Sequence, residues 1–302
     1  MIPSEYCDTE APRNLNYSDF GPDTAALPPS RPLSDHTPAS YTIVKGKVMN
    51  VFKKIVGHTQ ALSPSPLEST MMLDMEMREI YDNIPPSFKM KPISQSFLDT
   101  TSTIMNKCNI ELLYLKAIVV LHRRYLNTGT TNSDYATSRR HCLDAALRIL
   151  SVQKDIHQAS QPGGLLYDDR WMISSLAAHD FLLAAMVVCL ELSEHMRTAK
   201  TPRSEDLMIQ FEALQTSHMI WASASSYSKD AYTAAQALGV MIQKIKDSNH
   251  VNTLPNSPVP GDDLLKDTNL IYAEPMVDML DSTETLDWVS TVSLLLYTSD
   301  NL

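Results

Sequence analysis

Residues Trp171 to Leu192 form a long and very apolar stretch, and what can surround such a stretch limits every fold open to the chain. At 22 residues it is long enough, as a helix, to cross a bilayer. Ser174, Ser175, His179, Asp180 and Glu191 interrupt it, however. A charge at mid-membrane costs roughly 2.5 to 3.5 kcal/mol on insertion scales, so the expected structure is a helix buried in protein rather than in lipid. Ile110 to Leu121 makes the same demand, being apolar on nearly every face except at Glu111 and Lys116. Two helices of this kind need a core around them, and 43% hydrophobic content supplies one.

Glycine usage narrows the class further. Only 8 glycines stand against 18 prolines, which disfavours barrels, propellers and phosphate-cradling loops, all of which need residues at positive φ. Helical periods recur instead. Tyr41 to His58 places Ile43, Val44, Val48, Val51, Phe52, Ile55 and Val56 at helical spacing, and Leu67 to Tyr81 resumes after the Ser63-Pro64-Ser65-Pro66 break. Further helices are expected over Tyr135 to Gln158, Ser204 to Trp221 and Ser228 to Lys246. The last two suit an antiparallel pair. Arg139, Arg140, Asp144 and Arg148 are read as the solvent face of the first of these three. Pro162-Gly163-Gly164 is the clearest turn.

No segment alternates with period two, so an all-α, irregular multi-helix domain with a long buried central helix is expected. Three regions follow: a proline-rich extended segment over 1–40, a helical domain over 41–249, and an acidic linker and tail over 250–302. The tail holds nine acids and one lysine, Lys266, and so carries most of the net charge of -10.

That charge, with no basic stripe, argues against unassisted nucleic-acid binding. Cys7, Cys108, Cys142 and Cys189 are far apart and form no C-x-x-C pair, so no metal site is expected, and three of them lie in apolar helical patterns suited to reduced, buried thiols. No nucleophile elbow, H-E-x-x-H or nucleotide fingerprint is present, and neither a catalytic residue nor a cofactor is assigned.

Two groups of residues invite a functional reading. His179 and Asp180, with His122 and Tyr125, are candidates for a polar patch lining a pocket. Adjacent helical residues point about 100° apart, so His179 and Asp180 are not a dyad by spacing, and internal hydrogen bonding would satisfy them equally well. His122 to Tyr125 also reads as the charged C-terminal end of a helix. In the tail, Met279, Leu280, Leu286 and Trp288 are bulky apolar residues set among acids. That composition suits either an activation segment offering anchors to a partner's groove or a tail docked on its own domain through Trp288.

Leu113 to Leu126 and Arg140 to Ala146 resemble a recurrent pattern in the regulatory, or middle homology, region of fungal zinc-cluster transcription factors. The likeness continues through Pro162-Gly163-Gly164, Arg170-Trp171, Ser174-Ser175-Leu176 and His179 to Ala185. Pro12-Arg13-Asn14-Leu15, Leu27 to Pro32 and Ile84-Pro85-Pro86 are similar to flanking segments of that family. Leu286-Asp287-Trp288-Val289 resembles its closing Asp-Trp motif, without the second tryptophan that usually follows.

The resemblance implies a helical regulatory fold and transcriptional regulation in the nucleus, with the cytoplasm as a further location. The binuclear zinc cluster of six cysteines is lacking, so direct sequence-specific DNA binding is not expected, and neither is a membrane. Expected partners are proteins or a small effector, with a homodimer as one mode of assembly. The competing reading is an enzyme or small-molecule-binding protein that reuses the helical fold around His179 and Asp180.

Overall fold

A computed structural model describes residues 9–61, 66–126, 135–170, 175–198, 205–226 and 228–251. These residues form seven α-helices and no strand, as the helical periods require. The helices are α1 (Ser40–Thr59), α2 (Leu67–Asp82), α3 (Thr101–His122), α4 (Ala136–Ala159), α5 (Ser175–Thr198), α6 (Glu205–Ala224) and α7 (Lys229–Val251). The tail, with Met279, Leu280, Leu286 and Trp288, lies outside the described residues, as does the expected helix start at Trp171. The helices of the expected 41–249 domain fall into two compact units. The first draws on Met1–Arg124 and Gln158–Ile173, the second on Tyr125–His157 and the described part of Ser174–Leu302.

In the first unit α1, α2 and α3 pack on one another. Each helix has a chemical reason to start or stop where it does. Thr100 caps α3 by accepting the Thr103 N–H, which satisfies one of the donors left over at a helix start. α2 ends two residues before Ile84-Pro85-Pro86, where proline removes a donor and restricts the residue ahead of it. Val44, Val48, Val51, Phe52 and Ile55 of α1 form its buried stripe against the other two. α3 has no such stripe: fourteen of its residues are buried, on every side.

The proline-rich segment is tied to the start of α1 by one buried amide. Asn14 Nδ2 donates to the carbonyls of Pro32 at 2.8 Å and Asp35 at 3.0 Å, while the hydroxyls of Thr37 and Ser40 donate to Asn14 Oδ1. Asp19 pairs with Arg31 on the outside of the same bracket. The turn after α4 needs both of its glycines. Gly163 sits at φ +84°, and a Cβ on Gly164 would lie 2.1 Å from the Ala159 carbonyl oxygen, which accepts the Leu166 N–H instead.

In the second unit α5, α6 and α7 pack together. From Asp180 to Leu192 every residue of α5 is buried, which is the environment the long apolar run demanded. Among the described residues, no helix is long and apolar enough to cross a membrane. α7 offers an inner face of Ala231, Ala234, Ala235, Leu238, Met241 and Ile245. α4 joins by polar ties: Arg139 Nε donates to Glu191 Oε2 of α5 at 2.8 Å, and Ser217 of α6 donates to Gln153 Oε1 at 2.8 Å. Arg139 therefore departs from the expected solvent face. Its neighbour Arg140 stays there, mostly exposed beside Asp144.

Candidate functional site

The first unit holds its charge inside. Thr70, Asp74 and Met77 share the inner row of α2, so the helical period that buries the methionine also buries the carboxylate. His122, the last residue of α3, is wholly buried, with Nε2 3.2 Å from Asp74 Oδ1. One turn along α2, Arg78 Nε donates to Asp74 Oδ2 at 2.8 Å. Burial alone would push the Asp74 carboxyl up, but the hydrogen bonds from His122 and Arg78, with the charge of both, outweigh it and bring it from its ordinary 3.8 to about 2. Asp74 is thus ionised at neutral pH, engaged at both oxygens and closed to solvent. A carboxylate so engaged fastens helices together and has no open face for a substrate.

A second tie lies one turn further on. The Tyr81 hydroxyl donates to Glu111, and the Tyr81 ring stacks on Tyr114 with centroids 4.0 Å apart. Lys107, also buried, reaches Asp99 at 2.6 Å. Near the end of α1, His58 Nε2 lies 3.0 Å from the Thr70 hydroxyl, and burial together with the Arg124 charge holds its imidazole below the ordinary value.

The four candidate pocket residues have different surroundings. His122 belongs to the first unit, while Tyr125, His179 and Asp180 belong to the second. Tyr125 is buried and stacks on Tyr135, with centroids 5.1 Å apart. His179 is exposed and Asp180 is buried, as residues 100° apart on one helix should be. Cys108, Cys142 and Cys189 are buried free thiols, and burial pushes Cys189 up to about 12, which removes it as a nucleophile at neutral pH.

The second unit contributes an open cleft that none of these four residues lines. It measures about 350 Å³ between α6 and α7, with His218 on one wall and Tyr232, Gln236, Val240 and Gln243 on the other. Gly239 forms part of the α7 wall, and a Cβ there would come within 3.3 Å of the His218 ring. The cleft offers amide, phenol and imidazole groups above an apolar floor, but no carboxylate or ammonium. Such a lining can bind and orient; it contains no paired acid and base to move a proton.

Sequence reasoning missed Asp74, Arg78, Glu111 and the cleft. For Asp74 the signal was available, because it falls four residues after Thr70 and three before Met77 on a helical period. For the cleft there was none, since its lining comes from two helices that only the fold brings together.

The arrangement is one of helices fastened by buried polar ties, and among known proteins the chain is similar to several named as transcription factors. The chain is 35% identical over 259 residues to Zn(2)-C6 fungal-type transcription factor mpsB of Macrophomina phaseolina, covering 82% of this chain and 35% of that protein. The chain is similar to fungal zinc-cluster transcription factors. It is also 35% identical over 250 residues to Zn(2)-C6 fungal-type transcription factor pigI of Monascus ruber, covering 81% and 31% of the two chains. With the equisetin cluster transcription factor eqxF of Fusarium heterosporum it shares 34% identity over 248 residues, 81% of this chain and 35% of that one. The chain thus spans about a third of the length of these curated relatives. No protein-family model matches it, and no solved structure does.

Proposed function

We propose that this chain is a helical regulatory module of transcription, working in the nucleus and also present in the cytoplasm, that binds a protein partner or a small effector. The observation that carries this reading is the likeness, at 34 to 35% identity over more than four fifths of the chain, to proteins named as transcription factors. One relative is named for the equisetin cluster, and action on a cluster of that kind is the role proposed here. The closed polar ties support it as well, because they use buried charges to hold helices in register rather than presenting them to a substrate. With four separated cysteines these residues cannot build a six-cysteine zinc cluster, so DNA contact falls to another module or a partner. In this reading the acidic tail supplies contacts to other proteins through Met279, Leu280, Leu286 and Trp288.

The test is a reporter assay. Residues 261–302 fused to an unrelated DNA-binding domain should raise transcription, and replacing Leu286 and Trp288 with alanine should abolish the gain, because apolar anchors supply affinity while acids mainly steer encounter. Full chain fused to the same domain should also act on the reporter. An inert reporter from both fusions, each present in the nucleus at normal abundance, refutes the proposal.

A further inference from the structure

The cleft between α6 and α7 has no role in the architecture just described. Both helices pack without it, through Leu214 and Trp221 on one and Leu238, Met241 and Ile245 on the other. Its lining runs along the outer row of α7, where Tyr232, Gln236, Val240 and Gln243 follow one another at three- and four-residue steps. Lys229 precedes that row by one turn, and Lys246 and Asp247 follow it by one turn, so a cation stands at each end with one carboxylate beyond Gln243. The cleft volume falls at the small end of the roughly 300 to 1,000 Å³ range of ligand pockets, which suits one aromatic side chain with a neighbour rather than a whole helix.

We infer that this cleft is the docking site of the chain's own acidic tail, with the Trp288 indole seated between His218 and the α7 row. Three observations select this occupant. The first is chemistry. A carboxylate-free cleft flanked by lysines fits a segment of nine acids, in which Asp287 directly precedes Trp288 and Leu286 precedes both. The glutamine amides and the Tyr232 hydroxyl can accept the indole N–H, which a buried tryptophan requires. The second is the close approach at Gly239, where a Cβ would stand 3.3 Å from His218 Nε2, so the imidazole forms that part of the cleft wall directly against the α7 backbone.

The third is reach. α7 ends at Val251, and Gln236 lies about 22 Å back along its axis at 1.5 Å per residue. Residues 252–287 lie between Val251 and Trp288, and even their first ten could span about 33 Å when extended. Tethering makes the encounter intramolecular, so a contact too weak to hold a free peptide can still be occupied. In the full chain this contact competes with partner binding through Trp288, whereas residues 261–302 fused alone lack the cleft and keep the anchor open, so the reporter and the docking experiment fail separately.

The experiment uses the full chain labelled with 5-fluorotryptophan. Its three tryptophans give three fluorine resonances, and Trp288→Phe identifies that of Trp288. Broadening by a soluble paramagnetic probe should be at least threefold weaker for Trp288 in the full chain than in a synthetic peptide of residues 276–292. Gln243→Glu places a carboxylate on the exposed rim of the cleft without touching the core, and it should bring Trp288 to within twofold of the peptide's accessibility. Gln236→Glu, likewise exposed, should do the same, with circular dichroism unchanged in both variants. Trp288 as accessible in the full chain as in the peptide overturns the proposal. Protection that survives both cleft variants overturns it by placing the tail elsewhere, and protection that grows with protein concentration overturns it in favour of a second copy's tail.

Discussion

The two units build helical cores from opposite materials. The first seats Asp74, Lys107, Glu111 and His122 inside and satisfies them with partners on neighbouring helices or, for Lys107, with Asp99 just ahead of α3. The second buries an unbroken run from Asp180 to Leu192 and an alanine-rich face of α7, with Arg139–Glu191 and Gln153–Ser217 as its polar ties. Buried charges fix which helix faces meet, since a misplaced carboxylate loses its partners and still bears the cost of desolvation. Apolar packing tolerates sliding and repacking more readily. The difference teaches that register in the first unit is set by charge and in the second by volume, and each should fail by its own route.

The largest effect is expected where the second unit's material is violated. Val188→Asp puts a carboxylate at a position with no exposure in the middle of α5, at a cost of several kcal/mol against a total stability of about 5 to 15. No cooperative melt should survive. A soluble variant with a near-normal transition would show that α5 is not in the core.

Next comes the first unit's own material. Asp74→Ala removes the acceptor shared by His122 and Arg78, and breaking a buried pair from one side typically costs about 3 to 5 kcal/mol. Chemical denaturation measures it; a loss below about 1 kcal/mol would mean that charge does not set register here.

The same carboxylate predicts an acid window. Its folded pKa is depressed from 3.8 to about 2, so its contribution is complete above the unfolded value and disappears as pH falls from about 4 through 2. The stability gap between wild type and Asp74→Asn should therefore be constant from pH 7 to 5 and narrow below 4. A gap that stays constant down to pH 2 would contradict the ionised, doubly engaged carboxylate.

Most of the fold was legible in the sequence because helices of this length announce themselves by period. Each expected helix from Tyr41 to Lys246 has a counterpart, and α5 is buried as its composition required. What was not legible is pairing. Arg139 looked like a surface residue because its neighbours Arg140 and Asp144 are, yet Glu191 lies 52 positions away and nothing local names it. His122 looked like a helix-end charge, and its partner Asp74 is 48 positions off. The division into two units has the same cause, since contacts between distant segments define it. Candidate pocket residues were chosen for chemistry alone, and the cleft between α6 and α7 is lined by glutamines, a tyrosine and a histidine carrying no motif.

The smallest effect tests the Gly239 wall of the cleft in the second unit. Gly239→Ala should raise helix propensity by up to about 1 kcal/mol, since glycine is the costliest ordinary residue in a helix interior. Against that, the new methyl would stand 3.3 Å from His218 Nε2, closer than a comfortable contact by a few tenths of an ångström. What decides the sign is whether His218 can give way. Its ring is half-buried and borders the cleft, so there is open space to rotate into, unlike the situation at Gly164, where the obstacle is the Ala159 backbone. Gly239→Ala should therefore be stabilising by a few tenths to about 1 kcal/mol, read as a higher melting temperature, while Gly164→Ala should be destabilising. If Gly239→Ala lowers the melting temperature instead, His218 is held rigidly and this wall of the cleft is packed as tightly as the core behind it.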